Sequence, residues 1–391
     1  MRVCFLVPGL SRSGGIDVIR AHAERLGAEL HTEAPGGDWD VALATWWTTI
    51  PLLARVRAQR RGVFTQGFDP LHYRGEEFVD RLAASAAIAA PFDVIANSEW
   101  LAEMVRAVRP GAECHVVAPG VDKALFGGEP RAASDGPLRI LVEGQPSVWF
   151  KGVGEALAAT AAMTEPRHVT VVALDPAGTE GLAADRVVSG LAPDAMAALY
   201  READVLVKLS RHEGLGLAPV EAFHAGVPAV LTPFGGHAAY ARHGENALLV
   251  GFDDIPGTAR ALDRLAADRE LLARLSEGAL RTAQAWPDPE ASAALLRDAI
   301  GRLGPGTTDA AALDAVVREA GQRRAELARL RDTAAEFRRA YADLETKHEA
   351  QVEANRVVAG QLEDVAAQLD AATSSRAYRW AIALRKVLPG R

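Results

Sequence analysis

A chain of 391 residues is longer than one hydrophobic core ordinarily fills, so two globular domains are expected. Hydrophobic content of 49% beside 24% charged residues excludes a disordered chain, and a net charge of −8 excludes a general nucleic-acid binder, which needs a basic face against phosphate. Cys4 and Cys114 lie alone in apolar, strand-like runs, giving neither a disulfide framework nor metal-ligand spacing, and a reducing cytosol is the simple reading.

In chain order, the first predicted element is a strand over Arg2–Val7. Its apolar run is short and passes straight into Ser11-Arg12-Ser13-Gly14-Gly15, so a strand and glycine loop are expected there rather than a secretory leader. A helix over Asp17–Glu29 follows, then strands at Val41–Ala44, Val63–Thr65 and Val94–Ala96, a helix over Trp100–Val108 and a strand at His115–Val117. The polar stretch Gly127–Pro137 reads as a boundary. A second series opens at Arg139–Val142 and continues through helix Val153–Met163, strand His168–Ala173, helix Pro193–Arg201 and strands Val205–Lys208, Ala229–Leu231 and Ala247–Val250. Near-continuous apolar strands alternating with helices predict parallel sheets covered on both faces, an α/β class with domains at 1–130 and 131–303. No run approaches the roughly 18 apolar residues that span a membrane.

Gly301–Thr308 reads as a linker, after which the period changes. From Leu313 to Ala372 a seven-residue repeat runs without a skip through Leu327, Tyr341, Asn355, Leu362 and Leu369 in one column and Leu330, Phe337, Leu344, Val358 and Val365 in the other. Fourteen of its eighteen positions are apolar, which predicts a coiled coil over 309–372 and, with Asn355 available to set register, a homo-oligomer. A single long amphipathic helix is the alternative. The terminal segment 374–391 carries five basic residues, no acidic one, and Trp380 at the border of an apolar face. It is expected to form a basic amphipathic helix lying on an anionic membrane surface, or else to cap the rod or pack on a neighbour.

The chemistry-bearing stretch runs from Ala203 to Val250. A strand ends in Arg211-His212-Glu213-Gly214-Leu215-Gly216-Leu217, a helix begins near Ala218 or Pro219 and carries Glu221, and Gly226-Val227-Pro228 closes it. Ligands of open α/β sheets bind beyond the carboxyl ends of the strands, and glycine-rich turns at a helix N-terminus admit a diphosphate to backbone N–H groups. Glu221 is placed to accept from ribose hydroxyls and Glu213 to face the transferring sugar.

With its Glu-x7-Glu spacing from Glu213 to Glu221, followed by Ala225-Gly226-Val227-Pro228, Gly235-Gly236 and His243-Gly244-Glu245-Asn246-Ala247, the segment resembles the family-4 glycosyltransferases. That resemblance, thinner over the rest of residues 1–300, implies two Rossmann-like domains facing a cleft (the GT-B fold) and retention of anomeric configuration without a metal ion. It also implies no cofactor, the nucleotide-diphosphate sugar being a substrate. By the same resemblance Gly14 and Gly15 are a loop beside the donor phosphates, and Asn97-Ser98 and Pro119-Gly120-Val121-Asp122 match segments near the end of the first domain. Lys151, in Trp149-Phe150-Lys151-Gly152, is the lysine that meets the diphosphate. The family's usual basic residue after the first strand of the second domain is replaced by Gly144-Gln145, leaving Arg211, Lys208 or Arg12 to supply a phosphate contact.

Two first-domain segments, Trp46-Trp47-Thr48-Thr49 and Gln66-Gly67-Phe68-Asp69-Pro70-Leu71-His72-Tyr73, set aromatic and hydrogen-bonding groups after strands, a combination suited to carbohydrate. They resemble a bacterial subgroup that builds surface polysaccharides, including rhamnosyltransferases, and Asp69 and His72 join Glu213 and Lys151 as candidate catalytic residues. The Trp pair has core packing as its alternative. The expected activity is sugar transfer to a growing surface glycan (O-antigen, capsule or similar) at the cytoplasmic face of the membrane; a catalytically inert sugar-binding scaffold that assembles glycan-synthesis enzymes through its coiled coil is the competing reading.

Overall fold

A computed structural model describes residues 1–74, 77–130, 136–304 and 310–374. The chain forms two compact units, residues 1–322 and 323–391. The first unit holds both sheets.

The first half runs β1 (Val3–Leu6), α1 (Gly14–Leu26), β2 (Glu29–His31), β3 (Asp38–Ala44), β4 (Arg57–Thr65), α2 (Phe78–Ile88), β5 (Asp93–Ala96), α3 (Glu99–Val108), β6 (Cys114–Val116) and α4 (Lys123–Phe126). Its six strands pair in parallel in the order β2-β1-β3-β4-β5-β6. The second half runs β7 (Leu138–Glu143), α5 (Val153–Ala161), β8 (Arg167–Ala173), β9 (Arg186–Ser189), α6 (Pro193–Glu202), β10 (Val205–Lys208), α7 (Leu217–His224), β11 (Ala229–Leu231), β12 (Ala247–Leu249), α8 (Ile255–Ala267), α9 (Arg269–Ala285) and α10 (Pro289–Arg302). Its strands, all parallel, are ordered β12-β11-β10-β7-β8-β9, the doubly wound arrangement whose direction reverses between β7 and β10. Each sheet is buried on both faces, by Val3, Phe5, Ile19, Phe64 and Ile95 on one side of the first and Trp47, Leu53, Val94 and Leu101 on the other. Leu141, Leu206, Phe223 and Trp286 cover one side of the second, and Val142, Val171, Val207 and Leu262 the other.

Helix starts follow local capping chemistry. Ser13, Ser98, Asp122, Asp254, Asp268 and Asp288 each accept a backbone N–H from the first turn of the helix that follows, worth about 1 kcal/mol apiece. The Ser13 cap, taking Ile16 N–H, starts α1 three residues before the expected Asp17, and β2 occupies the end of the predicted helix. β4 starts six residues before the predicted Val63, because its polar first half, Arg57-Ala-Gln-Arg-Arg, is drawn into the ladder by β3. β9, α2, α4, α8, α9 and α10 fall on stretches to which no element is assigned above.

The block 131–303 does not pack as one domain. Leu296, Ile300 and Leu303 of α10 bury against Val3 and Phe5 of the first sheet, so the chain crosses back after α9. Trp286 Nε1 donates to Pro119 O at 2.9 Å and Ser292 Oγ to Ala118 O at 2.6 Å, fixing that return.

A single helix, α11 (Ala310–Ser374), occupies the heptad region. Leu330, Phe337, Tyr341, Leu344, Val358, Leu362, Val365 and Leu369 are each more than half exposed along it. The structure thus gives the helix, while pairing into a coiled coil is a separate matter. The predicted basic helix 374–391 lies, beyond Ser374, outside the described residues, as do 131–135 and 305–308 of the two predicted linkers. Among the described residues no helix is long and apolar enough to cross a membrane.

Candidate active site

β7 and β10 are neighbours in register, with Val207 beside Val142, so their last residues, Glu143 and Lys208, emerge together where the sheet order reverses. Such a switch point opens a crevice at the strand ends. Lys208 Nζ lies 2.5 Å from Glu143 Oε2 and 3.0 Å from Glu213 Oε1. Lys151, from the turn preceding α5, places its Nζ 2.9 and 3.1 Å from the two Glu213 oxygens, and Ser210 Oγ donates to Oε1 at 2.9 Å. Burial alone would raise the Glu213 carboxyl, but the two ammonium groups outweigh it and hold the acid far below the usual range. Burial would likewise lower Lys208, and Glu143 and Glu213 reverse that and raise it. Glu213 and Lys208 are therefore both charged at neutral pH.

The loop bearing Glu213 is pressed onto the first domain. Ser98 Oγ donates to Gly214 O at 2.6 Å, and Asn97 Nδ2 donates to Gln66 O at 3.0 Å. A Cβ at Gly214 would stand 2.0 Å from Gln66 O, so only glycine permits this approach. Gly216, immediately before α7, adopts φ +77° and faces the Phe234 ring, which again requires glycine. Glu221, on the second turn of α7, accepts from Tyr200 Oη at 3.0 Å. Burial, with a smaller contribution from the Glu143 and Asp17 charges, pushes its carboxyl up to about 7 against the opposing Tyr200 bond.

Aromatic rings from both domains flank the cluster. His72 stacks on Trp46 at 5.3 Å and meets Phe150 at 5.1 Å; Phe150 stacks on His212 at 4.3 Å; Trp149 Nε1 donates to His72 O at 3.2 Å. Both histidines are pulled down to about 4, first by burial, His72 then by His212 and Lys151. They are neutral at pH 7. His72 Nδ1, His212 Nε2 and Asn97 Oδ1 are buried with no hydrogen-bond partner in the protein. Unpaired buried polar atoms are costly, and these three lie beside the ion cluster.

Residues 179–282, which include this loop, match the family model described as Glycosyl transferases group 1. The chain is 32% identical over 259 residues to the MMP alpha-(1->4)-mannosyltransferase of Mycolicibacterium hassiacum, covering 62% of this chain and 57% of that one. It is 42% identical over 74 residues to the lipopolysaccharide core biosynthesis glycosyltransferase LpsE of Rhizobium meliloti, covering 19% and 22%. Against these relatives it therefore spans less than two thirds of their length. Among solved structures it is similar to Anabaena HepE, solved in complex with UDP and glucose, with a TM-score of 0.63 at 17% identity over 77% of this chain and 99% of the other. At that identity the likeness establishes the shared GT-B fold.

Within this frame the predicted residues separate. Lys151 and Glu213 meet directly; Gly214, Leu215, Gly216 and Leu217 form the loop after Glu213 and the start of α7; Glu221 lies one turn beyond. His72 joins the aromatic wall. Asp69 does not join the cluster: it is 4% exposed and its Oδ2 accepts Trp47 N–H at 2.9 Å, bracing the Trp46–Trp47 turn. The Trp pair divides accordingly, Trp47 buried in the core and Trp46 stacked on His72. Gly14 and Gly15 form the first turn of α1 rather than a loop, because the Ser13 cap recruits them, and Gln66 Nε2 donates to Gly15 O at 2.9 Å.

The basic contacts proposed in place of Gln145 also resolve. Arg211 is engaged by Asp253 and, at 3.5 Å, by Glu155, and is not drawn to Glu213. Arg12 pairs with Asp17 and donates to Leu191 O. Gln145 itself ties down the next loop, its Nε2 donating to Asp175 Oδ1 at 3.0 Å and Ala177 O at 2.7 Å. Glu143 and Ser210 are given no role by the sequence, and Gln66 and His212 enter there only as members of their segments. The one legible signal was a charged residue ending each of two apolar strands, in Leu-Arg-Ile-Leu-Val-Glu143 and Val-Leu-Val-Lys208.

Proposed function

We propose that the chain is a retaining glycosyltransferase that moves a sugar from a nucleotide-diphosphate sugar to a glycan acceptor without a metal ion. The observation carrying this reading is the Lys151–Glu213 pair seated where the second sheet reverses, on a loop bonded to the first domain through Ser98 and Gly214. A donor entering there has its diphosphate met by Lys151 and by N–H groups at the starts of α7 and α1, whose first turns lack intrahelical partners and of which Ser13 takes only that of Ile16. Glu213 faces the transferring sugar and stabilises the positive charge that grows at its anomeric carbon as the bond to diphosphate breaks. Glu221 and Tyr200 take the ribose side. A carboxyl near 7 accepts sugar hydroxyls best once ionised, so donor affinity should improve from pH 6 to 8. His72, neutral, offers Nδ1 to substrate hydroxyls.

The names of the relatives support sugar transfer as the class, and UDP in the HepE complex supports a nucleotide donor. Retention follows the family-4 resemblance. A surface-glycan acceptor rests on the aromatic wall of Trp46, His72 and Trp149 and on the match to a lipopolysaccharide core transferase. We further infer that α11 pairs with a second copy through its exposed heptad stripe, and that 374–391 holds the enzyme at the cytoplasmic face of an anionic membrane. Equal flotation of full-length and Ser374-truncated protein with anionic liposomes would sink the membrane part.

The central test is nucleotide-diphosphate release from a panel of nucleotide sugars. The wild type should turn over at least one donor, and Glu213→Gln and Lys151→Ala should each lose at least 100-fold with unchanged circular dichroism. Full activity in both variants refutes the assignment.

A further inference from the structure

Glu213 has two ammonium partners of unequal freedom. Lys151 reaches it from a turn with a side chain 25% exposed; Lys208 reaches it from inside strand β10 with a side chain 3% exposed. Both ammonium groups therefore converge on the one Glu213 carboxylate. Lys208 is also gripped by Glu143 at 2.5 Å, from the adjoining strand. Withdrawing this buried ammonium would strand Glu143 and leave Glu213 to Lys151 alone, so Lys208 stays where it is, whereas a lysine on a partly exposed turn can rotate away. Among the described residues the other basic groups once open to this role, Arg211 and Arg12, are committed to Asp253, Glu155 and Asp17.

We propose that Lys208, anchored by Glu143, is a positioning residue that keeps Glu213 charged and oriented by itself, freeing Lys151 to leave Glu213 for the donor's diphosphate. The inference rests on the reading above that Lys151 meets that diphosphate. Without Lys208, Lys151 is the last counter-ion of a buried carboxylate, and the phosphates must compete for it. The loss then falls on phosphate binding and spares the nucleoside. It also accounts for the Glu143–Lys208 pair occurring beside Gln145: the position after β7 is spent on tying the 175–177 loop, and the second cation is supplied one strand away.

Calorimetric titration of the full chain with UDP, GDP, ADP and dTDP, and with the nucleoside of whichever binds most tightly, tests this. Lys208→Met should weaken the diphosphate about tenfold or more and change the nucleoside less than twofold, with Lys208→Arg recovering most of the diphosphate affinity. Glu143→Gln/Lys208→Met, which deletes the pair and leaves Glu143 without a charge to strand, should show the same split and serves if the single variant fails to fold. Unchanged diphosphate affinity in the folded variants, or equal losses for diphosphate and nucleoside, overturns the proposal and leaves the transferase reading standing. A wild type that binds none of the four diphosphates overturns both.

Discussion

An alanine at position 214 would put its Cβ 2.0 Å from the Gln66 carbonyl oxygen and 2.7 Å from its carbon. Carbon and oxygen in ordinary contact stand about 3.3 Å or more apart, so the seam must open by roughly 1 Å. Both contacting groups are backbone, one in the loop after β4 and one in the loop after β10, so no side chain can turn aside. Overpacking of this kind costs about 1–3 kcal/mol, and the 2.6 Å bond from Ser98 Oγ to Gly214 O adds about 1 kcal/mol if it is lost. Gly214→Ala should therefore lower Tm by on the order of 5 °C, or, if the domains part instead, preserve Tm while weakening nucleotide diphosphate binding at least tenfold. Gly154→Ala is the control: a Cβ there meets nothing within 4 Å at the exposed start of α5, and stability should hold or rise slightly. Scanning calorimetry and titration calorimetry read the two quantities. A Gly214→Ala protein with both wild-type Tm and wild-type affinity would refute the claim that the Glu213 loop is clamped to the first domain.

Asp69 yields a pH prediction. Burial raises its carboxyl to about 7 against a reference near 3.8, so between those values the folded chain holds a proton that the unfolded chain has released. Its contribution is intact below pH 4 and declines as pH rises to about 7, by up to about 4 kcal/mol. His72 and His212, lowered to about 4, act in the opposite sense below 6.5, so wild-type stability alone does not isolate Asp69. The difference in urea stability between Asp69→Asn and wild type should grow in favour of Asn from pH 4 to 7, since Asn still accepts Trp47 N–H; a flat difference would show that Asp69 is not protonated in the fold. For α11, Leu344→Asp should shift the light-scattering mass toward that of one chain, because Leu344 is 64% exposed on the single helix and mid-stripe. Wild-type protein that already runs as one chain at micromolar concentration ends the pairing proposal.

The Glu213 loop and the start of α7 were legible because their signals are local. Glycine where backbone must approach backbone, a charge at the end of an apolar strand and a proline at a helix start follow from φ/ψ limits and strand burial, which act within a few residues. Glu213, Gly214, Gly216 and Glu221 could therefore be named from spacing, as could the alternation that makes two parallel sheets, whereas Lys151 was named by the family-4 resemblance alone.

Tertiary structure decided what depends on partners far apart in sequence. Asp69 and Arg211 have the residue types of a site, yet Trp47 N–H claims one and Asp253 and Glu155 the other. Glu143 and Lys208 lie 65 residues apart and become neighbours only because the strand order reverses between β7 and β10. The return of α10 to the first sheet is invisible to periodicity, since Leu296, Ile300 and Leu303 would cover either core equally well. An apolar stripe specifies that a face is buried and leaves open against what; a charged residue specifies a charge and leaves open its counter-ion. Both choices are settled by chain crossings, which carry no signature in the residues that finally touch.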